Sequence, residues 1–259
     1  MNYKLRTTNP GGFSLTEVLL AVGILAVGML FIAGTFLVGI HFSTIATEQT
    51  IAAVASDEAF AKIKLYGVNL NDPNWLVGNL RPFEAVKLNP ISPDEFAYPS
   101  TNTVAEKQYY WSALCRRVAP DPNRLVQVTV FVCRKAGVGT KYRNPSDPFD
   151  LNASLFYPVP VKVEVSPVVG IGNENKLLID VFDKETFIND GYTIVDDQTG
   201  QIYRVLQRID RDQPDKDIIE LDKPWQTQIG VPVTPSVWVV PPPFGGGRNP
   251  CIVVYQTNF

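Results

Sequence analysis

An uncharged apolar run near the start of the chain is its strongest pattern. The 25 residues from Val18 to Phe42 contain no Asp, Glu, Lys or Arg. A helix of that length crosses a bilayer core of roughly 30 Å, so we predict a transmembrane helix over about 18–42. Lys4 and Arg6 precede the run. By the positive-inside rule, the N-terminus is then cytoplasmic and the rest of the chain lies beyond the inner membrane.

A helical pattern continues past the apolar run. Apolar residues at spacings of three and four share one helical face: Ala52, Ala55, Ala59, Ile63 and Tyr66. Gly67 follows this stripe as a C-terminal stop signal. The pattern predicts one long helix over 13–66, with its first half in membrane and its second half against a globular body.

Alternating patterns predict that the rest of the chain is antiparallel β-structure. A Pro- and Asn-rich stretch over about 67–108 reads as an irregular connection. Residues 109–118 and 125–134 then form a strand pair around a turn signal at 119–124. In the second strand Val126, Val128, Val130 and Val132 share the face that should meet the helix. This hairpin opens the predicted β domain, residues 109–259.

Further short strands are predicted over 159–169, 176–182, 192–197, 201–209, 218–221, 237–240 and 251–256. A single sheet covered by one helix does not need the central strands of this series, so we interpret about 171–230 as an inserted β subdomain. The predicted fold class is α+β, in which a long N-terminal helix packs on an antiparallel sheet.

Composition excludes several function classes. The net charge of −3 argues against a nucleic-acid binder that works by bulk positive charge. The single His cannot build most His-rich zinc sites. There is no P-loop, G-x-S-x-G, C-x-x-C or dinucleotide fingerprint. We therefore expect no enzyme and no direct contact with nucleic acid.

One carboxylate interrupts the start of the apolar segment, which reads GGFSLTEVLLAVGILAVGM from Gly11. Glu17 at this place costs about 2.5–3.5 kcal/mol on insertion scales, and such residues usually have a partner. An ordinary secretory signal has a shorter apolar run. A plain signal anchor leaves Glu17 unexplained, unless its carboxylate snorkels to the interface.

This segment resembles the N-terminal signal of type IV pilins and pseudopilins: a polar leader ending in Gly12, then Phe13, then Glu17 at the fifth mature position. The resemblance implies that residues 1–12 are a leader, that prepilin peptidase cuts between Gly12 and Phe13, and that the Phe13 amine is methylated. It also implies that Glu17 pairs with the Phe13 amine of a neighbouring subunit during assembly. Here Thr7–Pro10 stands where family leaders usually carry a basic residue beside the glycine.

The implied function is a minor pilin-like subunit of a type IV pilus or a type II secretion pseudopilus, because the chain from Phe13 is long for a major subunit. Its implied partners are other pilins or pseudopilins, prepilin peptidase, the inner-membrane assembly platform and membrane lipid. A major pilin and a signal-anchored extracytoplasmic binding domain that never polymerises are the alternatives.

Two further groups could carry chemistry. Asp210, Asp212, Asp215 and Asp217 could gather around Ca²⁺, although a solvated hairpin turn with interspersed basic residues explains the same pattern. No other cofactor is expected.

Three cysteines, Cys115, Cys133 and Cys251, fall in the exported part, where disulfides can form. A turn near Pro122 places Cys133 opposite Tyr110, which disfavours a Cys115–Cys133 bridge. We consider a Cys133–Cys251 disulfide if the last strand pairs alongside, and buried thiols otherwise.

Overall fold

A computed structural model describes residues 12–71, 75, 78–100, 107–118, 125–137, 139–170, 172–180, 182–210, 216–226 and 234–259. The chain divides into two compact units, one up to Glu48 and the other from Gln49 to Phe259. Helix α1, Leu15–Tyr66, belongs to both. The helix ends at Tyr66, as the sequence predicted. Gly67 follows with φ +73°, and its N–H donates to the Ile63 carbonyl at 3.0 Å, which closes the last turn.

The first unit contains the apolar part of α1. This helix is the one described element long and apolar enough to cross a membrane, with a mean hydropathy of 2.5 over its most apolar window. None of that window is buried inside the protein. The coarse prediction of a long apolar N-terminal helix is therefore confirmed.

The second unit begins with the rest of α1, which packs on a five-stranded antiparallel sheet. The sheet consists of β1 (Arg81–Pro82), β2 (Ala97–Tyr98), β3 (Tyr109–Arg117), β4 (Val126–Arg134) and β11 (Cys251–Asn258). Its order is β1-β3-β4-β11, and β2 pairs with the same edge of β3 as β1. The valine face of β4 and the alanine stripe of α1 share one core, as predicted.

The predicted irregular connection holds more structure than expected. Besides β1 and β2 it contains helix α2, Phe83–Val86, and a 3₁₀ turn over Pro93–Phe96. Phe83 and Phe96 from these two turns contact Trp111 of β3, with ring centroids 6.4 and 4.8 Å apart. These elements are too short to be stable alone, so the tertiary contacts hold them in place.

Six strands between β4 and β11 form a closed antiparallel barrel in the order β10-β5-β6-β9-β8-β7. They are β5 (Val161–Pro167), β6 (Lys176–Ile179), β7 (Thr193–Asp196), β8 (Ile202–Ile209), β9 (Ile218–Leu221) and β10 (Ser236–Val239). The barrel interior is filled by buried apolar side chains. The expected boundaries of about 171–230 were too narrow, because β10 pairs with both β5 and β7 and thereby closes the barrel.

The barrel docks on the sheet face opposite α1 through its turn at 197–200. The Leu80 N–H donates to the Asp197 carbonyl at 3.0 Å. Arg116 of β3 donates to the Gln198 carbonyl at 2.8 Å, and Gln256 of β11 donates to the Gly200 carbonyl at 2.7 Å. Apolar side chains from both bodies, including Leu114 and Val240, form a third core between them.

Candidate functional site

The first turn of α1 holds the residues that the N-terminal motif singles out. Gly12 and Phe13 precede the helix and are exposed, Phe13 by 80%. Ser14 caps the helix, since its Oγ accepts the Glu17 N–H at 3.2 Å. Glu17 lies in the first turn, where a carboxylate also interacts favourably with the helix dipole.

The Ser14–Glu17 spacing is that of a capping box, S-x-x-E. The sequence reading missed Ser14, although this spacing could have revealed it. Glu17 is solvent-exposed. The structure thus places an accessible carboxylate in the first turn of α1, four residues after Phe13.

The first part of α1 exposes an apolar surface on all sides. Its large side chains are between 48% and 79% exposed, and they include Leu15, Leu19, Met29, Phe31, Phe36 and Phe42. A contiguous apolar surface of this extent is not expected in water. It fits a lipid bilayer.

The acidic group proposed for calcium is only partly described. Asp212 and Asp215 lie outside the described residues. Asp210 is exposed, whereas Asp217 is buried and pairs with Arg208, whose Nη2 and Nε lie 2.5 and 2.7 Å from Oδ2. Among the residues that the structure describes, no group of three or more His, Cys, Asp or Glu side chains is placed to hold a metal. Asp217 therefore serves as a buried partner of Arg208 in the barrel wall.

The cysteines occupy cross-strand positions in the sheet. Cys133 lies opposite Tyr110, as predicted, and also opposite Cys251 on its other side. Cys115 lies opposite Val128, away from this pair. All three are free thiols here, and Cys115 and Cys133 are buried. Burial and the hydrogen bond with Cys251 raise the pKa of the Cys133 thiol, and burial alone raises the pKa of Cys115.

A cleft of about 470 Å³ opens beside β3. Trp111 lines this cleft, its ring is buried, and its Nε1 donates to the Glu95 carbonyl at 2.9 Å. Ser112 also lines the cleft, and its buried Oγ has no hydrogen-bond partner among the residues that the structure describes.

A buried polar network surrounds the docking turn of the barrel at 197–200. Asp197 accepts hydrogen bonds from Trp238 Nε1 at 2.6 Å and from Lys162 Nζ at 2.7 Å. Its neighbour Asp196 is also buried, and burial raises the pKa of its carboxyl, although hydrogen bonds from Thr199 and Gln198 lower it in part. This network holds the docking turn in place and serves a structural role.

No family model, curated protein or solved structure matches this chain. The interpretation of its function therefore depends on the residues and the geometry described above.

Proposed function

We propose that this protein is a minor pilin-like subunit of a type IV pilus or a type II secretion pseudopilus, anchored in the inner membrane by α1 and assembled by helix–helix packing. One observation carries the proposal: Gly12, Phe13 and Glu17 stand in order before a 25-residue uncharged run, and the run lies on a 52-residue helix. The chemistry proposed is assembly; the subunit is itself the substrate of prepilin peptidase.

The exposure of the first turn supports this proposal. Hydrolysis of the Gly12–Phe13 peptide bond would leave a free amine on Phe13, one turn from Glu17. Within an apolar filament core an unpaired carboxylate is costly, so Glu17 would be stabilised by the amine of a neighbouring subunit. The neutral side chains that follow would pack against other α1 helices or lipid.

The barrel of the second unit supports a role in which the subunit presents an additional folded body. We propose that the barrel is an insertion in a pilin-like sheet, because its strands occur between β4 and β11. Such a body would be presented by the filament during its initiation or in secretion, adhesion or uptake. The assembly platform and other pilins or pseudopilins are the proposed partners.

The test is the N-terminus of the mature protein. Expressed with prepilin peptidase, the chain should begin at a methylated Phe13, as read by intact mass and N-terminal sequencing. Without the peptidase, or with Gly12→Leu, the leader should remain. A chain that keeps Met1 beside an active peptidase overturns the proposal and favours a signal-anchored domain. Cleavage together with abundance in sheared filaments would instead identify a major pilin.

A further inference from the structure

The edge of β3 that faces β1 and β2 has a gap between those two strands. Strand β1 pairs with β3 at Leu114 and Cys115, whereas β2 pairs with it at Tyr109 and Tyr110. The residues between these two stretches, 111–113, line the cleft of about 470 Å³. Pockets that bind small molecules have volumes of about 300–1,000 Å³. The gap in the sheet edge therefore holds a cleft large enough for a small organic molecule.

One wall of this cleft is aromatic. Trp111 lies beside Phe83 and Phe96, whose ring centroids are 6.4 and 4.8 Å from its own. All three rings line the cleft and belong to the core under the sheet. Because core side chains are closely packed, this aromatic wall is formed before any ligand enters. The apolar part of a ligand would pack against it without a change of fold.

A tyrosine and a carboxylate also line the cleft. Tyr157 is half-buried, and its ring stacks on Tyr110 with the two centroids 5.7 Å apart. Glu84, on the short helix α2, is exposed. Burial raises the pKa of the Tyr157 hydroxyl, and the charge of Glu84 raises it further. The carboxylate and the tyrosine thus act on the same part of the cleft.

The charge of the lining selects the kind of ligand. Among the described residues that line the cleft, Glu84 is the only charged one, and there is no Lys or Arg. None of the ion pairs between described residues uses Glu84. A carboxylate attracts a cation and repels an anion, and an aromatic ring also attracts a cation to its face. The lining therefore favours a positively charged ligand.

We propose that this cleft binds a small organic cation, a protonated amine carried on an apolar body. Its ammonium group would interact with the Glu84 carboxylate and the Tyr157 ring, while its apolar body would pack on the aromatic wall. The Ser112 hydroxyl adds a hydrogen-bonding group to the lining that no described residue uses.

This site lies in the second unit and does not depend on the proposed assembly function. Glu17→Val, which should abolish filament incorporation, should leave binding of the amine unchanged. Variants of the cleft should likewise leave cleavage at Gly12 unchanged. Failure of either proposal is thus distinguishable from failure of the other.

The experiment uses the full chain in micelles of deuterated detergent, with saturation-transfer NMR as the measure of binding and empty micelles as the background. The probes are phenethylamine, its neutral analogue phenethyl alcohol and the anion hydrocinnamate. Phenethylamine should bind most tightly of the three. Glu84→Gln should weaken its binding about two- to fivefold, as expected for an exposed ion pair, and leave phenethyl alcohol unaffected. Asp57→Asn is the matched control, because Asp57 is exposed and does not line the cleft.

A second variant tests the aromatic contact. Tyr157→Leu should weaken binding of phenethylamine by about two- to fivefold, whereas Tyr157→Phe keeps the ring and should bind as the wild type does. Thermal unfolding checks that each variant is folded, and Glu84→Gln changes only an exposed side chain.

Three results would overturn the proposal. One is equal binding of phenethylamine and phenethyl alcohol. Another is binding of the amine that neither Glu84→Gln nor Tyr157→Leu changes. The third is tighter binding of an N-acetyl-lysine amide than of phenethylamine, which would assign the cleft to a lysine side chain of a partner protein.

Discussion

Cys133 and Cys251 lie directly opposite each other on β4 and β11, although 118 positions separate them in the sequence. The whole barrel, from Val161 to Val239, is contained in the chain between them. Cys133 lies where the chain leaves the sheet at the end of β4, and Cys251 lies where it returns at the start of β11. The pair thus lies at the base of the barrel connections.

We predict that these two thiols form a disulfide under oxidising conditions. Two hydrogen atoms would pass to an added disulfide oxidant, such as oxidised glutathione. Cys251 is the more accessible of the two, and burial raises the pKa of Cys133, so Cys251 should react first. In the chain-entropy view, a closed loop of this length stabilises the fold by about 4–5 kcal/mol at most.

The measurement is the intact mass of the chain together with thermal unfolding before and after oxidation. Cys115→Ser should leave the oxidation unchanged, because Cys115 is not opposite this pair. Cys251→Ser should abolish it. An oxidised protein that still holds three titratable thiols would contradict this prediction.

The β3–β4 hairpin and the end of α1 were well predicted from sequence, because hydrophobic periodicity and turn residues determine such local elements. The hairpin β3–β4 was placed within a residue or so, and its register followed from the turn between the strands. The end of α1 followed from Gly67. In each case the deciding contacts lie close together in the sequence.

Long-range pairings could not be predicted in this way. Closure of the barrel depends on β10 pairing with β5, about seventy residues away, and no local pattern specifies that choice. The role of Asp217 was missed for a different reason, since its partner Arg208 on the neighbouring strand β8 is only nine residues away, but the sequence pattern does not show that this pair is buried. The sequence of an acidic segment does not show which of its carboxylates become buried in the fold.

The docking turn should be sensitive to a single methyl group at Gly200. This residue has φ +70°, and an added Cβ would press on the Gln127 side-chain amide and approach Arg116 Nε to 3.3 Å. Gly200→Ala should therefore lose about 1–2 kcal/mol of unfolding free energy from backbone strain. Displacement of the Gln127 amide, which accepts a hydrogen bond from Arg116 Nε, should cost about 0.5–1.5 kcal/mol more.

Gly191 is the matched control, because it has φ +76° and nothing lies within 4 Å of its added Cβ. Gly191→Ala should show the backbone strain alone. Urea unfolding of the full chain in micelles measures both variants. Equal losses would show that the close approach at Gly200 does not matter for stability.

The ion pairs around Lys62 should make the free energy of unfolding depend on pH in the acidic range. Lys62 Nζ lies 2.7 Å from Glu58 Oε1 and 2.8 Å from Glu95 Oε2. Desolvation by burial raises the pKa of Glu58, but hydrogen bonds from Lys62 and Ser100 outweigh it and hold this pKa below its ordinary value of 4.5. A depressed folded-state pKa contributes stability above the unfolded-state pKa, and this contribution is lost as the pH falls through the folded-state pKa.

Glu58→Gln should therefore cost about 0.5–1 kcal/mol at neutral pH, with the lower figure favoured by solvent screening. The difference from wild type should shrink as the pH falls below the ordinary pKa of 4.5 and disappear below the folded-state pKa. Asp57→Asn removes a charge from the adjacent, exposed position and should cost less. Unfolding curves from neutral to acidic pH measure this, and a loss for Glu58→Gln that is independent of pH would contradict the assignment.

Glu17 is expected to act in assembly rather than in folding or insertion. Glu17→Val removes the exposed carboxylate and makes the helix start more apolar, so the chain should still enter the membrane. Helix α1 should persist, since one charge in the first turn contributes only about 0.3–1 kcal/mol. Incorporation into filaments should fail, because no counter-charge remains for the neighbouring Phe13 amine. Thr16→Val makes a similar apolar change one residue away and should assemble normally. Membrane and sheared-filament fractions separate the two steps, and normal incorporation of Glu17→Val would refute the pairing.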